Sequence, residues 1–440
     1  MALGGGTFTV QNKVLPGAYI NFISTGNNGS VFSDRGVCFV PLNFNWCKDN
    51  EIFGVSSEDF EKNCLNIFGY SYTDDKVKFL RDLFKNASTC LFYRLSGGDK
   101  ATNDIATAKY SGTRGNDIFI KISKNIDDES KFDFYTYLKA SSSDGSSTNI
   151  LVDTQTVKTT SELVENDFVT FKAKESITET TGTFLTGGTD GEATTEDYQK
   201  LLDNAEGQYF NILICDSTND LIKGLFANFT KRIRDNVGIK FQTIIFDYKA
   251  DYEGVINFTT EAKEDKLALI YWLAGNEASC AVNKTITNKQ YDGEFTPICA
   301  DTQKELETSI QNGELKIHKV GDEFRVLTDI SSLTTYTEDK NSLFSSNQTV
   351  RVCDQIATDI AKIFNNYYLG KVPNDAGGRI SLWNEIVKYH NQLEDIRAIE
   401  AFDKDALIIK AGDTKKSVIV NESVTPINCM EQLYMTVKVL

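Results

Sequence analysis

Tyr209-Phe210-Asn211-Ile212-Leu213-Ile214-Cys215 is the run that decides the fold of this chain. From Phe210 it is almost continuously apolar, the pattern of a parallel strand covered on both faces rather than of a strand with one wet side. Working outward, residue spacing predicts helices over 196–204 and 219–236, a strand over 240–246 and a helix over 263–281. That order is a βαβ-type α/β domain with right-handed crossovers. Two more strands are read at 315–320 and 324–330.

Upstream, Phe39-Val40-Pro41-Leu42 reads as extended, 74–86 as a helix with Val77, Leu80, Leu83 and Phe84 at helical spacing, and 90–95 as a strand. Between 97 and 183 the pattern changes to short strands at 117–123, 132–138, 150–157 and 168–173. Turn clusters such as Ser141-Ser142-Ser143-Asp144-Gly145 separate them, which predicts a small β-sandwich or barrel. Downstream, Val352, Ile356, Ile360, Ile363, Phe364 and Tyr367 mark one apolar helix face that stops near Gly370, with Pro373 beyond. A second helix is read over 380–400, then a hairpin of 406–411 and 417–420 around Gly412-Asp413.

Both ends of the chain read as strands. Leu433, Met435, Val437 and Val439 fall on one side of the last eight residues, and Tyr434, Thr436 and Lys438 on the other. Thr7-Phe8-Thr9-Val10 and Leu15-Pro16-Gly17-Ala18-Tyr19-Ile20-Asn21-Phe22 are extended pieces near the start. A loose end has nothing to offset its ordering entropy, so each needs a sheet to join. That sheet can belong to the same subunit or to a neighbour, by β-augmentation.

The 440 residues allow about two to four domains. A net charge of −16 disfavours a nucleic-acid partner, which calls for a basic surface. No apolar run approaches the length of a membrane span, and Met1-Ala2-Leu3-Gly4-Gly5-Gly6 lacks the features of a signal peptide, so no membrane partner is expected. Nine cysteines without a C-x-x-C pair argue against a disulfide framework or a zinc site and read as small buried thiols. The histidines are His318 and His390, and no nucleophile-elbow, zincin or P-loop motif is present. Gly187-Gly188-Thr189-Asp190-Gly191 lacks the lysine and the preceding buried strand of a phosphate loop and reads as a tight turn. Asp216, Asp247 and Asp251 follow two parallel strands, where α/β folds place their sites, although such acids also cap helices and order loops. No catalytic residue, cofactor or metal is assigned. An α/β hydrolase-like enzyme with an appended β-domain stands as the alternative, to be judged by whether those acids converge.

Ala106-Thr107-Ala108-Lys109-Tyr110-Ser111-Gly112-Thr113-Arg114-Gly115-Asn116-Asp117-Ile118 resembles a segment of contractile tail sheath proteins of phages and phage-tail-like particles. Leu15-Pro16-Gly17-Ala18-Tyr19, Arg35-Gly36-Val37, the stretch from Phe184-Leu185-Thr186 to Gly191, and Leu433-Tyr434-Met435-Thr436-Val437 agree with the family in the same order. The resemblance covers essentially the whole chain and is nearest to sheaths of clostridial or bacillus-type tails. It implies a fold of α/β plus β: an inner α+β domain, an inserted β-sandwich and a subtilisin-like, non-catalytic α/β domain, with extended N- and C-terminal strand arms. The corresponding segments are 1–22 (arm), 23–96 (first part of the core), 97–183 (sandwich), 184–345 (α/β), 346–424 (C-terminal α+β) and 425–440 (arm).

As function, the resemblance implies a structural subunit of a virion tail, or of a headless phage-tail-like particle, assembled in the host cytoplasm. Copies would stack as helical rings around an inner tail tube, with baseplate and tail terminator or collar proteins as further partners. They would contract to drive the tube through the bacterial envelope. Strand exchange between subunits then falls to Phe8, Val10, Ala18, Ile20 and Phe22 at one end and to Leu433, Met435, Val437 and Val439 at the other. In such sheaths the C-terminal zone faces inward, which makes Arg379, Glu385, Lys388 and Glu394 the candidate tube-facing residues. A tail-tube or capsid component would be shorter and mostly β, against the length and the βαβ zone found here.

Overall fold

The computed structural model describes residues 33–95, 97–141 and 147–439. The chain first lays down one side of a sheet through β1 (Val37–Leu42), β2 (Ile52–Ser56), α1 (Ser57–Phe68), α2 (Lys78–Phe84) and β3 (Thr89–Arg94). β1 and β3 run parallel from Val37↔Thr89 to Leu42↔Arg94, and β2 pairs antiparallel with β3. The helix α1 starts where the Ser56 side chain accepts from the Asp59 amide and stops at Gly69 in the left-handed conformation. The helix read over 74–86 is a 3₁₀ turn, Asp75–Val77, followed by α2.

After Leu95 the chain leaves this sheet and builds the sandwich from β4 (Ala106–Ala108), β5 (Ile118–Lys124), β6 (Phe132–Ser141), β7 (Ser147–Val157), β8 (Val169–Phe171) and β9 (Thr180–Phe184). One antiparallel sheet has the order β7-β6-β5-β9, and β4 with β8 makes the other. Ile118, Ile120, Ile122, Phe134 and Leu138 point inward and pack with Val157, Phe168 and Val169. The strand β9 escaped the sequence reading. Gly182 interrupts it, and its register on β5 shifts between Ile120 and Ile122, so it shows no clean period of two.

The chain then returns through α3 (Thr195–Ala205), β10 (Ile212–Cys215), α4 (Asp220–Arg232), β11 (Gln242–Phe246), β12 (Val255–Phe258), α5 (Leu269–Ser279), α6 (Gln303–Gln311) and β13 (Glu314–Leu315). The sheet order is β13-β12-β11-β10-β1-β3-β2, parallel throughout except for β2. Since β1 lies between β10 and β3, the stretches before and after the sandwich share one sheet. All four residues of β10 are buried, as the opening run required. Ile212, Ile214, Val40, Phe92 and Ile244 pack on one face under α1, α2 and α5, while Leu213, Cys215, Phe39, Tyr93 and Ile245 pack on the other under α3 and α4.

The strand read over 315–320 divides in two. Leu315 ends β13 in the large sheet, and β14 (Ile317–Val320) pairs instead with β15 (Glu323–Val326) as a hairpin. The C-terminal part holds α7 (Asn347–Ile363), α8 (Ala376–Asp395) and the hairpin of β16 (Ile408–Ala411) with β17 (Val418–Asn421). One expectation is corrected here: Tyr367 is exposed, and Tyr368 is buried in its place. A π-helical turn over Phe364–Tyr368, closed by Leu369 N–H on Phe364 O at 2.9 Å, adds a residue to the last turn and rotates the pattern. The buried face of α7 also takes in Arg351, Gln355 and Asp359, which an apolar count cannot register.

Candidate assembly surface

The acids after the parallel strands do not converge. The Asp216 carboxylate accepts from Tyr198 of α3 at 3.2 Å; burial pushes it up to about 7, against the opposing pull of that hydroxyl. Asp247 turns the chain at φ +46 while its amide bonds Phe258 O at 2.9 Å. Asp251 accepts from the Thr334 and Thr335 amides at 2.7 and 2.9 Å and from the Thr334 hydroxyl at 3.1 Å. Burial pushes its carboxyl up, but those threonine bonds outweigh it and hold the group at about 2. His318 lies on β14, its pKa lowered by burial and by Arg325. His390 is buried in α8 with Nδ1 2.9 Å from Ile386 O and its ring stacked 4.3 Å from Phe402. Among the described residues no group of three or more His, Cys, Asp or Glu is placed to hold a metal, and no helix is long and apolar enough to cross a membrane.

The long motif and the glycine cluster form one joint between the sandwich and the α/β sheet. Gly112 has φ +119, and a Cβ there would meet Asn45 O at 2.0 Å, so only glycine fits. The Arg114 side chain donates to Gly69 O at 2.8 Å, Lys139 O at 2.9 Å and Asp117 Oδ2 at 2.8 Å, and lies 4.3 Å over the Tyr70 ring. Asn116 and Gly188 exchange two 2.8 Å hydrogen bonds, and Asp190 accepts from the Thr113 amide and hydroxyl. From the other side, the fully buried Arg94 at the end of β3 reaches Asp49, Cys47 O and Ser111. Trp46, from the loop after β1, is wholly buried in the sandwich core against Tyr110 and Phe168. The loops that leave the carboxyl ends of β1 and β3 are thus spent on holding the sandwich.

The C-terminal end is rooted and then set free. Ile427 N–H bonds Ala398 O at 3.0 Å and Glu400 N–H bonds Thr425 O at 2.9 Å. The Gln348 amide grips Ile427 O and the Cys429 amide, both at 3.0 Å. The Glu431 carboxylate accepts from the hydroxyls of Thr287 at 2.7 Å and Thr328 at 2.9 Å. Beyond it, residues 432–439 form no strand within the subunit, so the strand read over 433–440 is not made there; Leu440 lies outside the described residues. Leu433, Met435, Val437 and Val439 are 86, 74, 69 and 94% exposed. Phe8, Val10, Ala18, Ile20 and Phe22 all lie outside the described residues.

The hairpin β16–β17 forms where residue spacing predicts it, at 406–411 and 417–420. Among the described residues the two strands pair with each other and with no further strand, and Ile408, Ile419 and Val420 are exposed. Trp383 Nε1–H on Leu407 O at 3.1 Å, and Asn374 on Ser417 O at 2.8 Å, hold the hairpin to α8 and the loop before it. The Gly412 amide bonds Ser417 O at 2.8 Å, and antiparallel alternation from that pair turns the amides of Ile409, Ala411, Val418 and Val420 outward. Such a ribbon is marginal alone and offers two open edges.

The four tube-facing candidates do not share one side of α8. At roughly 100° per residue, Glu385 and Lys388 lie near each other, with Arg379 and Glu394 on the opposite side. Arg379 donates to Asn374 O and Oδ1, and Glu394 accepts from the Phe402 amide. Lys388 is exposed and Glu385 half-buried.

Three phage tail sheath family models match in succession: the β-sandwich domain over 96–190, the central domain over 191–332 and the C-terminal domain over 339–440. The crystal structure of a sheath tail protein from Desulfitobacterium hafniense is similar at TM-score 0.81 and 33% identity, over 94% of this chain and 98% of that one. A sheath tail protein from Listeria innocua is similar at TM-score 0.75 and 32% identity, over 90% of this chain and 93% of that one. The phage-like element PBSX protein XkdK of Bacillus subtilis strain 168 is 32% identical over 99% of this chain and all of its own length. At 12% identity, the helical sheath of the anti-feeding prophage in its contracted state shares the fold, with TM-score 0.56 over 97% of this chain and 99% of that one.

Proposed function

We propose that this chain, which belongs to the phage tail sheath protein family and is a structural sheath subunit, is linked to its neighbours by strands exchanged at its two ends. The observation that carries this reading is that one subunit holds both an exposed apolar arm, Leu433 to Val439, and a hairpin, β16–β17, whose edges no other described strand covers. The arm of one subunit adds to the hairpin of another, and Phe8, Val10, Ala18, Ile20 and Phe22 serve the N-terminal arm in the same way.

Magnitudes favour linkage over simple dimerisation. Burying four apolar side chains at about 2 kcal/mol each and making about four hydrogen bonds at about 1 kcal/mol each contributes about 12 kcal/mol. Ordering eight residues at about 1.5 kcal/mol each costs about the same. One arm alone therefore binds weakly, and subunits join when both arms and the ring contacts engage together.

On this reading the rings surround an inner tail tube above a baseplate, below a terminator or collar, in a phage tail or a phage-tail-like particle. Contraction is a rigid-body rearrangement of subunits that the exchanged strands survive because the stretches before them bend. The parallel sheet with helices on both faces supports a subtilisin-like architecture for the α/β domain. The hydrolase-like alternative is set aside, since Asp216 and Asp251 serve α3 and the 334–335 loop respectively and the relatives are sheath proteins. Truncation after Glu431 tests the central idea, because it keeps every root contact and removes only the free arm. The expected product is a folded monomer that forms no sheaths by negative-stain microscopy. Ordinary sheaths from that truncation would refute strand exchange.

A further inference from the structure

Arg351, Glu277 and Asp329 meet with at most 1% of any side chain exposed. Arg351 donates to Glu277 Oε2 at 2.6 Å, to Asp329 Oδ2 at 3.3 Å and to Lys284 O at 2.7 Å. Asn347 bridges the same two acids at 3.3 and 2.8 Å, and Gln242 from β11 holds Asn347 at 2.9 Å. Arg351 thus serves both carboxyls, and the Arg35 guanidinium lies within electrostatic reach of Glu277 and Arg351. Burial and the neighbouring Asp329 push Glu277 well up. For Asp329, burial is outweighed by Arg351 and its hydrogen bonds, which hold it down. A buried knot of this kind tolerates little displacement, because any partner lost leaves a buried charge uncompensated.

Described residues close to each terminal segment, Arg35 on one side and Ile427 to Glu431 on the other, are tied to this knot. Arg35, from which residues 1–34 lead off, donates to Glu277 O at 3.2 Å and Cys280 O at 2.9 Å. Next to it, the Gly36 and Val37 amides bond Asn211 Oδ1 at 2.9 and 3.0 Å. The C-terminal root is held by Gln348, one turn before Arg351 on α7, and by Thr287 and Thr328 through Glu431. Thr328 precedes Asp329, and the Asp329 amide donates to the Thr287 hydroxyl at 2.9 Å. From Arg35 to Cys429 every link is a hydrogen bond, a buried ion pair or a single helix turn.

We propose that the Arg351–Glu277–Asp329 knot is a shared anchor that couples the roots of the two terminal arms, with Arg35 and Gln348 as its positioning residues. A strain on one arm then reaches the other through the body of the same subunit, so a pull passed in by one neighbour is handed on to the next. The assignment of the two roots to exchanging arms rests on the strand-exchange reading; the coupling itself is a property of the single subunit.

Peptide-resolved hydrogen exchange on the full-length, unassembled protein tests the coupling whether or not sheaths form. The variant Arg35→Ala is expected to speed exchange at Ile427 and Cys429, and Gln348→Ala to speed it at Gly36 and Val37. Both effects should be of comparable size, roughly tenfold, because coupling is reciprocal. Sandwich amides at Ile120 and Phe134 should keep wild-type rates. Arg35→Lys, which keeps the cation but loses the two-carbonyl grip, replaces Arg35→Ala should that variant not fold. Loosening confined to the near root in both variants would overturn the proposal. So would uniform acceleration that includes the sandwich, since the knot would then serve only global stability.

Discussion

Gly112 shows how much of the recurring motif is sterics. Its φ of +119 and the 2.0 Å approach of Asn45 O to any Cβ leave no room for a side chain. We expect Gly112→Ala to destabilise the protein by about 2–4 kcal/mol, visible as a lowered Tm, because both backbone strain and a backbone clash must be relieved. Asp216 gives a pH signature. Its folded-state pKa of about 7 lies above the ordinary carboxyl value, so the folded state holds the proton more tightly. Its contribution is therefore present at low pH and is lost as pH rises through 7. Asp216→Asn keeps an acceptor for Tyr198 and removes that loss. The advantage of the variant over wild type in urea melts should grow by about 2–3 kcal/mol between pH 5 and pH 8. At this scale the sequence announced the motif, but not that Arg114 would span three partners or that Arg351 would be buried. A charged residue in a helix pattern reads as solvated until its partners, 22 and 74 residues away, are known.

Among the elements, the strongly periodic ones were legible and the short ones were not. The strand β10 and helices α4 and α7 carry enough apolar residues for their burial to be read directly. The strand β9 is broken by Gly182 and the buried run of β12 contains the polar Asn257, so neither shows a clean apolar pattern. For α6 the sequence signal is the capping box of Thr302 with Glu305, without a long apolar face behind it. The π turn after α7 moved burial from Tyr367 to Tyr368, a one-residue shift set by how the last turn packs. The hairpin β16–β17 supplies the element-scale prediction. Proline at Ile409 or at Val420 removes one outward amide from β16 or β17 and leaves the bonds between the two strands in place. Each substitution should give a folded subunit by circular dichroism. If an exchanged strand uses that edge, sheath formation should be lost by electron microscopy; normal sheaths from both variants would dismiss the hairpin as acceptor.

For the whole molecule, the proposed contact with a tube can be tested on α8. Lys388 is the exposed cation on the Glu385 side of α8, whereas Arg379 and Glu394 are engaged with Asn374 and Phe402. We expect Lys388→Glu to leave subunit stability within about 0.5 kcal/mol, as for most surface changes, while abolishing co-sedimentation of sheath with purified tube. Undiminished tube docking would remove α8 from the interface. The architecture also explains why the chain could be read as separate zones yet folds otherwise. Residues 37–94 and 212–315 are local neighbours in the sheet, but more than a hundred residues separate β3 from β10 along the chain.

Residue type and spacing alone set the class of each segment: a buried parallel strand at 212–215, a strand-and-turn zone from 97 to 183, and an apolar arm at the end with no partner in its own pattern. Those properties depend on residue type and spacing over a few positions. Only the tertiary structure decided that β1 sits between β3 and β10, that the loops after β1 and β3 hold the sandwich, and that Arg35 and Gln348 are tied to one buried knot. Such facts depend on which distant groups satisfy a buried amide, carboxylate or guanidinium. Hydrogen bonds and ion pairs over that range leave no periodic trace in the chain.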